Sequence, residues 1–265
     1  MAKVFAVTVI LIAIASAIPI LMHTWEPPVD ISTHGPLIDE QMSETMAEAG
    51  ISFLAAQIVL GVFVWMFSRP GQKVRSFPGG ARGLVTAAIV LVGIEAMALG
   101  AFGVRAWASV YFNPPSADAM PIQAQASQFA FYFRYPGPDG RFGPIHPDLV
   151  NEGTQNFFGI DLDHDPAAKD DIVTAEMGIP VNHEVHLLMH SKDVGHSFFV
   201  RELRIQQDFV PGLDISVHFT ANKVGRYEIV CTQLCGLGHY NMKAYLNVMS
   251  QTDFEAWLKQ QASQQ

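Results

Sequence analysis

The sequence predicts amino-terminal transmembrane α-helices, three of them, followed by an all-β domain of sandwich or Greek-key barrel type. Three observations predict it. Three long apolar runs fall within the first 105 residues. No comparable run follows Ala106. From there on, short alternating apolar stretches are cut by turn residues, as expected of a β-sandwich or barrel. Composition agrees: of 265 residues, 49% are hydrophobic and only 15% charged, whereas soluble domains run nearer about 25% charged. The net charge of -9 excludes a basic footprint for nucleic acid.

The first run, Val4 to Met22, has no charged residue. As a helix it would span about 29 Å, close to the thickness of a bilayer core. Its Lys3 and its Ala15-Ser16-Ala17 stretch also fit a cleaved signal peptide, but the apolar residues continue past that site to Met22, so a retained span is expected. The second run is Ile51 to Phe67 and the third Leu84 to Val104, the latter interrupted only by Glu95. A carboxyl group at membrane depth is costly and faces a partner or a function. Glu95 is expected to face another subunit, because no other residue of this chain is predicted to pair with it at that depth.

Loop charge sets the orientation. Residues 68–83 carry Arg69, Lys73, Arg75 and Arg82 and no acid. Residues 23–50 carry Glu26, Asp30, Asp39, Glu40, Glu44 and Glu48 and no Lys or Arg. Basic loops stay in the cytoplasm, which puts the 23–50 loop and everything after Val104 outside. The chain therefore divides into a membrane region, 1–105, and an extracytoplasmic domain, 106–265.

In that domain Phe129, Phe131 and Phe133 alternate along one predicted strand face, bounded by Pro136-Gly137 and Asp139-Gly140. Val185 to Met189 and Ile215 to Thr220 read as further strands. Tyr227 to Val230 enters a cysteine-bearing loop and Ala244 to Met249 leaves it. Asp253 to Gln260 reads as a short helix. The stretch from Pro144 to Asp171, rich in Asp, Pro and Gly, reads as an ordered surface excursion.

The loop is CTQLCGLGHYNM, residues 231 to 242, and it holds both cysteines of the chain. Cys231 and Cys235 offer thiolates, His239 an imidazole and Met242 a thioether. Such donors select copper, zinc or iron–sulfur over magnesium and calcium. Thioether is uncommon on structural zinc and common on copper electron-transfer sites. A Cys231–Cys235 disulfide and a zinc site remain alternatives; the disulfide leaves His239 and Met242 without a reason.

The pattern Cys-x-x-x-Cys-Gly-x-x-His-x-x-Met resembles the CuA loop of subunit II of the haem–copper terminal oxidases, the CuA-containing cytochrome c oxidase subunit 2 family. DVGHSFF, with His196, is similar to that family's upstream histidine segment. QFAFYFRYPGPDGRFG, LRIQQDFVPG and HFTANKVGRYEIVC are similar to other family stretches, so the likeness covers most of 128–249. The resemblance implies a cupredoxin-like Greek-key barrel and two copper ions. Cys231 and Cys235 would bridge both ions, and His196 and His239 would cap one each. Met242 and the backbone carbonyl of Gln233 would be the weak ligands. It also implies a cell (inner) membrane protein, multi-pass, with its copper domain on the periplasmic side. Its partners would be a haem-containing catalytic subunit that reduces oxygen to water, other membrane subunits, membrane lipid, and a cytochrome c or small copper protein as donor. There would be no nucleic acid.

Three departures from the family pattern matter. Gln233 stands where the family usually has a Glu that also helps bind magnesium, and a neutral amide is a poorer ligand for a hard cation; this argues against a magnesium site. Phe129 stands where the family has the Trp through which electrons enter. Three spans exceed the usual two. No Cys-x-x-Cys-His occurs, so no covalently attached haem is expected. The same copper loop would also suit a nitric oxide reductase of the superfamily or, less well, a membrane-tethered copper carrier. Quinol oxidases resemble this fold without the cysteines. His186 and His190 share a strand face near His183, but no third ligand at sensible spacing is evident in the sequence. His146, His164 and His218 read as surface or packing residues, and Asp193 as a turn residue.

Overall fold

A computed structural model describes residues 1–22, 26–68 and 81–264. Arg69, Lys73 and Arg75, on which much of the predicted orientation rests, lie outside the described residues. The chain divides into two units, one of residues 1–27 and 37–106 and one of residues 28–36 and 107–265.

The first unit contains α1 (Ala2–Leu21) and all but the ends of α2 (Gly35–Phe67) and α3 (Ala81–Tyr111), the three apolar helices. Each is long and apolar enough to cross a membrane. In α1, Ala6 and Ala13 are buried. A Cβ added at Gly61 of α2 would come within 2.6 Å of Ile10 Cγ1, so a small residue lets the helix backbones approach closely. Two expectations change. Residues 35–50 are not loop: they form the first turns of α2, since Glu, Gln, Met and Ala there are strong helix formers. Glu95 is not alone in its chain either. It lines one cleft with Glu44, Glu48 and Ser52 of α2, because the spacing of 44, 48 and 52 puts those side chains on one helix face.

The second unit is two five-stranded sheets. The first has the order β3 (Ile172–Thr174), β2 (Ala130–Tyr135), β1 (Met120–Ser127), β5 (Glu184–Ser191), β8 (Ile215–Thr220). The second has the order β4 (Met177–Pro180), β10 (Lys243–Met249), β9 (Gly225–Val230), β6 (His196–Val200), β7 (Ile205–Phe209). The pairs β1–β5 and β10–β4 are parallel and the remaining ones antiparallel. Alternation builds the core. Val185, Leu187 and Met189 of β5 are fully buried while Glu184, His186 and His190 point to the other face. From the second sheet Phe198, Val200, Ile229, Leu246 and Val248 meet them. The class is the expected one: apolar helices, then an all-β cupredoxin-like domain.

Of the predicted phenylalanine face, Phe131 and Phe133 are buried on β2, but Phe129 falls in the β1–β2 turn and is 40% exposed. The excursion before β3 is ordered by short 3-10 turns at 147–149, 152–154 and 166–168 and by a buried ion pair. Arg134 and Asp171 have side chains 0% exposed and bond to each other. Arg134 also donates to Gln123 Oε1 at 3.0 Å and to the Gly143 carbonyl at 2.8 Å. The terminal helix α4 (Gln251–Ala262) is capped by Ser250, whose hydroxyl accepts from the Asp253 N–H at 3.2 Å. Its Trp257 packs where Gly178 has no side chain.

Candidate metal centre

The cysteine loop joins two antiparallel neighbours, β9 and β10, and is closed at its mouth by the Cys231 N–H donating to the Met242 carbonyl at 3.1 Å. Within it, three turn bonds fold the chain back. His239 N–H donates to Gly236 O at 3.1 Å, Asn241 N–H to Gly238 O at 3.0 Å and Met242 N–H to His239 O at 3.2 Å. Gly236 takes φ +133°, a conformation open mainly to glycine. From the β1–β2 turn, Gln128 Nε2 donates to the Cys235 carbonyl at 2.6 Å. Phe129 lies on the loop: a Cβ at Gly238 would fall 2.6 Å from its Cγ.

This folding brings the loop's donor atoms together. Cys231 Sγ and Cys235 Sγ are 3.9 Å apart, nearly twice a disulfide bond of about 2.05 Å, and both cysteines are free. Cys235 Sγ is 3.6 Å from His239 Nδ1 and 3.7 Å from Met242 Sδ. Cys231 Sγ is 3.1 Å from the Gln233 carbonyl, while the Gln233 side chain is exposed. Cys231, Cys235 and Met242 are 7%, 3% and 2% exposed, so the sulfurs sit in the protein interior and not on its surface.

His196 arrives from the start of β6. One of its ring nitrogens lies within 4.8 Å of both cysteine sulfurs. The ring is 0% exposed. Its Nε2 is 2.7 Å from Asp193 Oδ1, and its Nδ1 is buried with no hydrogen-bond partner. A buried imidazole nitrogen without a partner is costly. The carboxylate on the other nitrogen fixes the tautomer and leaves Nδ1 as a lone pair, the usual arrangement of a metal-binding histidine. Asp193 is therefore more than a turn residue. Burial pulls its carboxyl up, but hydrogen bonds from His196, Gln128 and Val194 hold it below the usual carboxylate range. Nothing in the sequence pairs Asp193 with His196 beyond their i, i+3 spacing.

The electrostatics favour a cation. Burial, with the neighbouring Cys231 charge second, pushes the Cys235 thiol up to about 11. Two adjacent buried thiolates repel each other, and a bound metal ion lets both stay ionised at neutral pH. The donor count bears on how many ions fit. A single tetrahedral ion takes four ligands, and a 3.9 Å sulfur separation suits two thiolates on one ion as well as a shared pair. Two thiolates, two imidazoles, one thioether and one carbonyl are two more donors than one such ion accepts.

The other sequence candidates do not join the site. Among the described residues, His196, Cys231 and Cys235 form the one group of three or more His, Cys, Asp or Glu at metal-ligand spacing. His186 bonds Ser216 at 2.8 Å and His190 pairs with Asp214 at 3.0 Å, while His183, His146 and His164 are exposed.

Residues 162–249 match the family model for the cytochrome c oxidase subunit II periplasmic domain. The chain is 31% identical over 260 residues to the alternative cytochrome c oxidase subunit 2 of Bradyrhizobium diazoefficiens, covering 97% of this chain and 91% of that one. It is 25% identical over 221 residues to the cytochrome c oxidase subunit 2 of Cereibacter sphaeroides, covering 80% of this chain and 71% of that one. A solved structure of the periplasmic domain of subunit II (CoxB) of Bradyrhizobium japonicum aligns at 24% identity and TM-score 0.42, over 57% of this chain and 97% of that one.

Proposed function

The chain belongs to the cytochrome c oxidase subunit II family, and from that premise we propose that it is the subunit through which electrons reach a haem–copper oxidase. As a family member it is part of an oxidase enzyme, and copper binding is implied by the family. In our reading a dinuclear CuA centre is held by Cys231, Cys235, His196, His239, Met242 and the carbonyl of Gln233. Electrons come from a cytochrome c or small copper protein on the periplasmic side of a cell (inner) membrane and pass to haem in a catalytic partner subunit.

One observation carries the reading: two free, buried thiols meet a thioether and two imidazoles, one of which has a bare buried nitrogen. Copper bound there would supply a one-electron couple, its charge change spread over two nuclei and two sulfurs. The chain's own residues do the rest. Backbone bonds across the mouth of the loop and within its turns hold the donor atoms in place, so little must move when charge changes. Asp193 holds the His196 ring in one orientation. Burial of Cys231, Cys235 and Met242 keeps water from the sulfurs and suits retention of metal better than its release, which disfavours a carrier. Phe129, packed on the loop and reaching solvent, takes the place of the family's entrance Trp. Between Cys231 and Met242 no residue is charged, and Leu234, Leu237 and Tyr240 are exposed, so a donor would meet an apolar surface next to the sulfurs. No magnesium is assigned, because Gln233 offers only a neutral amide.

Paramagnetic resonance of the copper-loaded full chain tests the proposal. The expected signal is one unpaired electron shared by two copper nuclei, lost in Cys235→Ser. A four-line spectrum from one nucleus, unchanged by that substitution, rules the dinuclear assignment out.

A further inference from the structure

The 28–36 segment, which follows α1 and leads into α2, lies along the edge of the first sheet. β8 is the last strand in that sheet's order, and the segment covers its open side. Ser32 bridges to Ala221. The Thr33 N–H donates to the Thr220 carbonyl at 3.1 Å and the Ile31 N–H to the Glu202 carbonyl at 2.9 Å, while the Ile31 carbonyl accepts from the Asn222 N–H at 2.7 Å. Arg204 donates to the Pro28 carbonyl at 2.6 Å and Lys223 to the Asp30 carbonyl at 2.7 Å. Ile31 is fully buried and belongs to the core.

His34 is buried near the end of this strap. One of its ring nitrogens donates to the Leu203 carbonyl, and its Nε2 is buried without a partner. Among the described residues His190, His196 and His218 also have a buried ring nitrogen without a partner. Each of those three has a carboxylate on its other nitrogen, from Asp214, Asp193 and Glu184 in turn, which offsets the charge of a protonated ring. His34 has a carbonyl there instead. A proton added at its Nε2 would bury an N–H with no acceptor on a charged ring that no carboxylate holds. Neutral His34 fits the strap and protonated His34 does not.

The charged and titratable groups around it are Asp30 on the strap itself, Arg201, Glu202 and Arg204 in the turn before β7, His218 on β8 with Glu184 bonded to it, and Lys223 after β8. Burial holds His34 below the usual histidine range; the Leu203 carbonyl and Asp30 oppose this, and His218 adds to it. A histidine held low when folded lends stability that is complete above its ordinary value of 6.5 and is lost as pH falls below that. We propose that the 28–36 segment is an acid-released strap, freed from β8 when His34 takes up a proton while the two sheets stay folded. Its release leaves the backbone edge of β8 open. This inference does not depend on the electron-transfer reading.

The test is amide hydrogen exchange on the full chain in detergent, with rates corrected for the intrinsic effect of pH. Between about pH 7.5 and about pH 5, protection of the Ile31, Thr33 and Asn222 amides should fall about tenfold or more, while β5 and β10 keep theirs. His34→Asn retains an N–H donor for the Leu203 carbonyl and has no basic nitrogen, so it should remove the pH dependence, and His218→Asn should leave it. Equal protection at both pH values, a fall that survives in His34→Asn, or one that disappears in His218→Asn overturns the proposal. Should His34→Asn leave the strap unprotected at neutral pH, an NMR titration of the His34 ring in the parent decides. A midpoint below 6.5 supports the strap, and one at or above 6.5 refutes it.

Discussion

Replacing Asp193 by Asn should weaken metal binding without unfolding the domain. The Asp193 carboxylate accepts three contacts, from His196 Nε2, Val194 N–H and Gln128 N–H, each at 2.7 Å. Oδ1 serves the first two and Oδ2 the third. An amide of the same shape has one oxygen and one NH2. If the oxygen keeps His196 and Val194, the NH2 confronts the Gln128 N–H; if it keeps Gln128, the NH2 confronts the other two donors. Either way one charge-assisted bond is lost, about 1.5–3 kcal/mol, and the negative charge facing His196 is gone. At about 1.4 kcal/mol per decade this is a roughly 10–100-fold loss of copper affinity, the range found for such supporting partners. Competition of the full chain against a copper chelator measures it, with thermal unfolding of the metal-free variant as control. Affinity within about twofold of the parent would refute the idea that Asp193 sets the His196 donor.

Three further outcomes are expected. Gly238→Ala drives a methyl into the Phe129 ring and should cost about 1–3 kcal/mol of stability, read by urea unfolding, with a changed copper spectrum; an unaltered midpoint would mean that the loop is loose. Asp171→Ala leaves the Arg134 cation buried without its partner and should cost roughly 3–5 kcal/mol. Most of that should return in Arg134→Met/Asp171→Leu, and failure of the pair to recover would show that the hydrogen bonds to Gln123 and Gly143 matter more than the charge. The metal-free chain should lose stability in alkali. Burial, ahead of the Cys231 charge, raises Cys235 from 9.0 to about 11, so the unfolded state releases its proton first. The contribution is intact below about pH 9 and falls as pH rises through about 11. Copper holds the thiolates as ligands, so the loaded chain should lack this loss, and parallel pH titrations of the two forms compare them.

Much of the fold was legible because its signals are local. Apolar runs of membrane length gave three helices, alternation gave β5, β8, β9 and β10, and the pattern from Asp253 to Gln260 gave α4. The limits are just as physical. The start of α2 was read as a loop because residues 35–50 are acidic and polar, which describes where a segment sits and not whether it is helical. Phe129 was placed on a strand because periodicity does not say where a turn begins. β3, β4 and β7 are short strands whose pairing comes from neighbours distant in sequence.

At the candidate metal centre, the sequence by itself determined which donors share a loop: two thiols, an imidazole and a thioether, folded together by the turns of residues 236–242. Only tertiary structure decided that His196 reaches the sulfurs and that Asp193 fixes its ring. Both contacts depend on where β6 begins beside the loop between β9 and β10. They follow from which side chains the packed core leaves on each face, and a one-residue shift in strand register would send each of them to the opposite side.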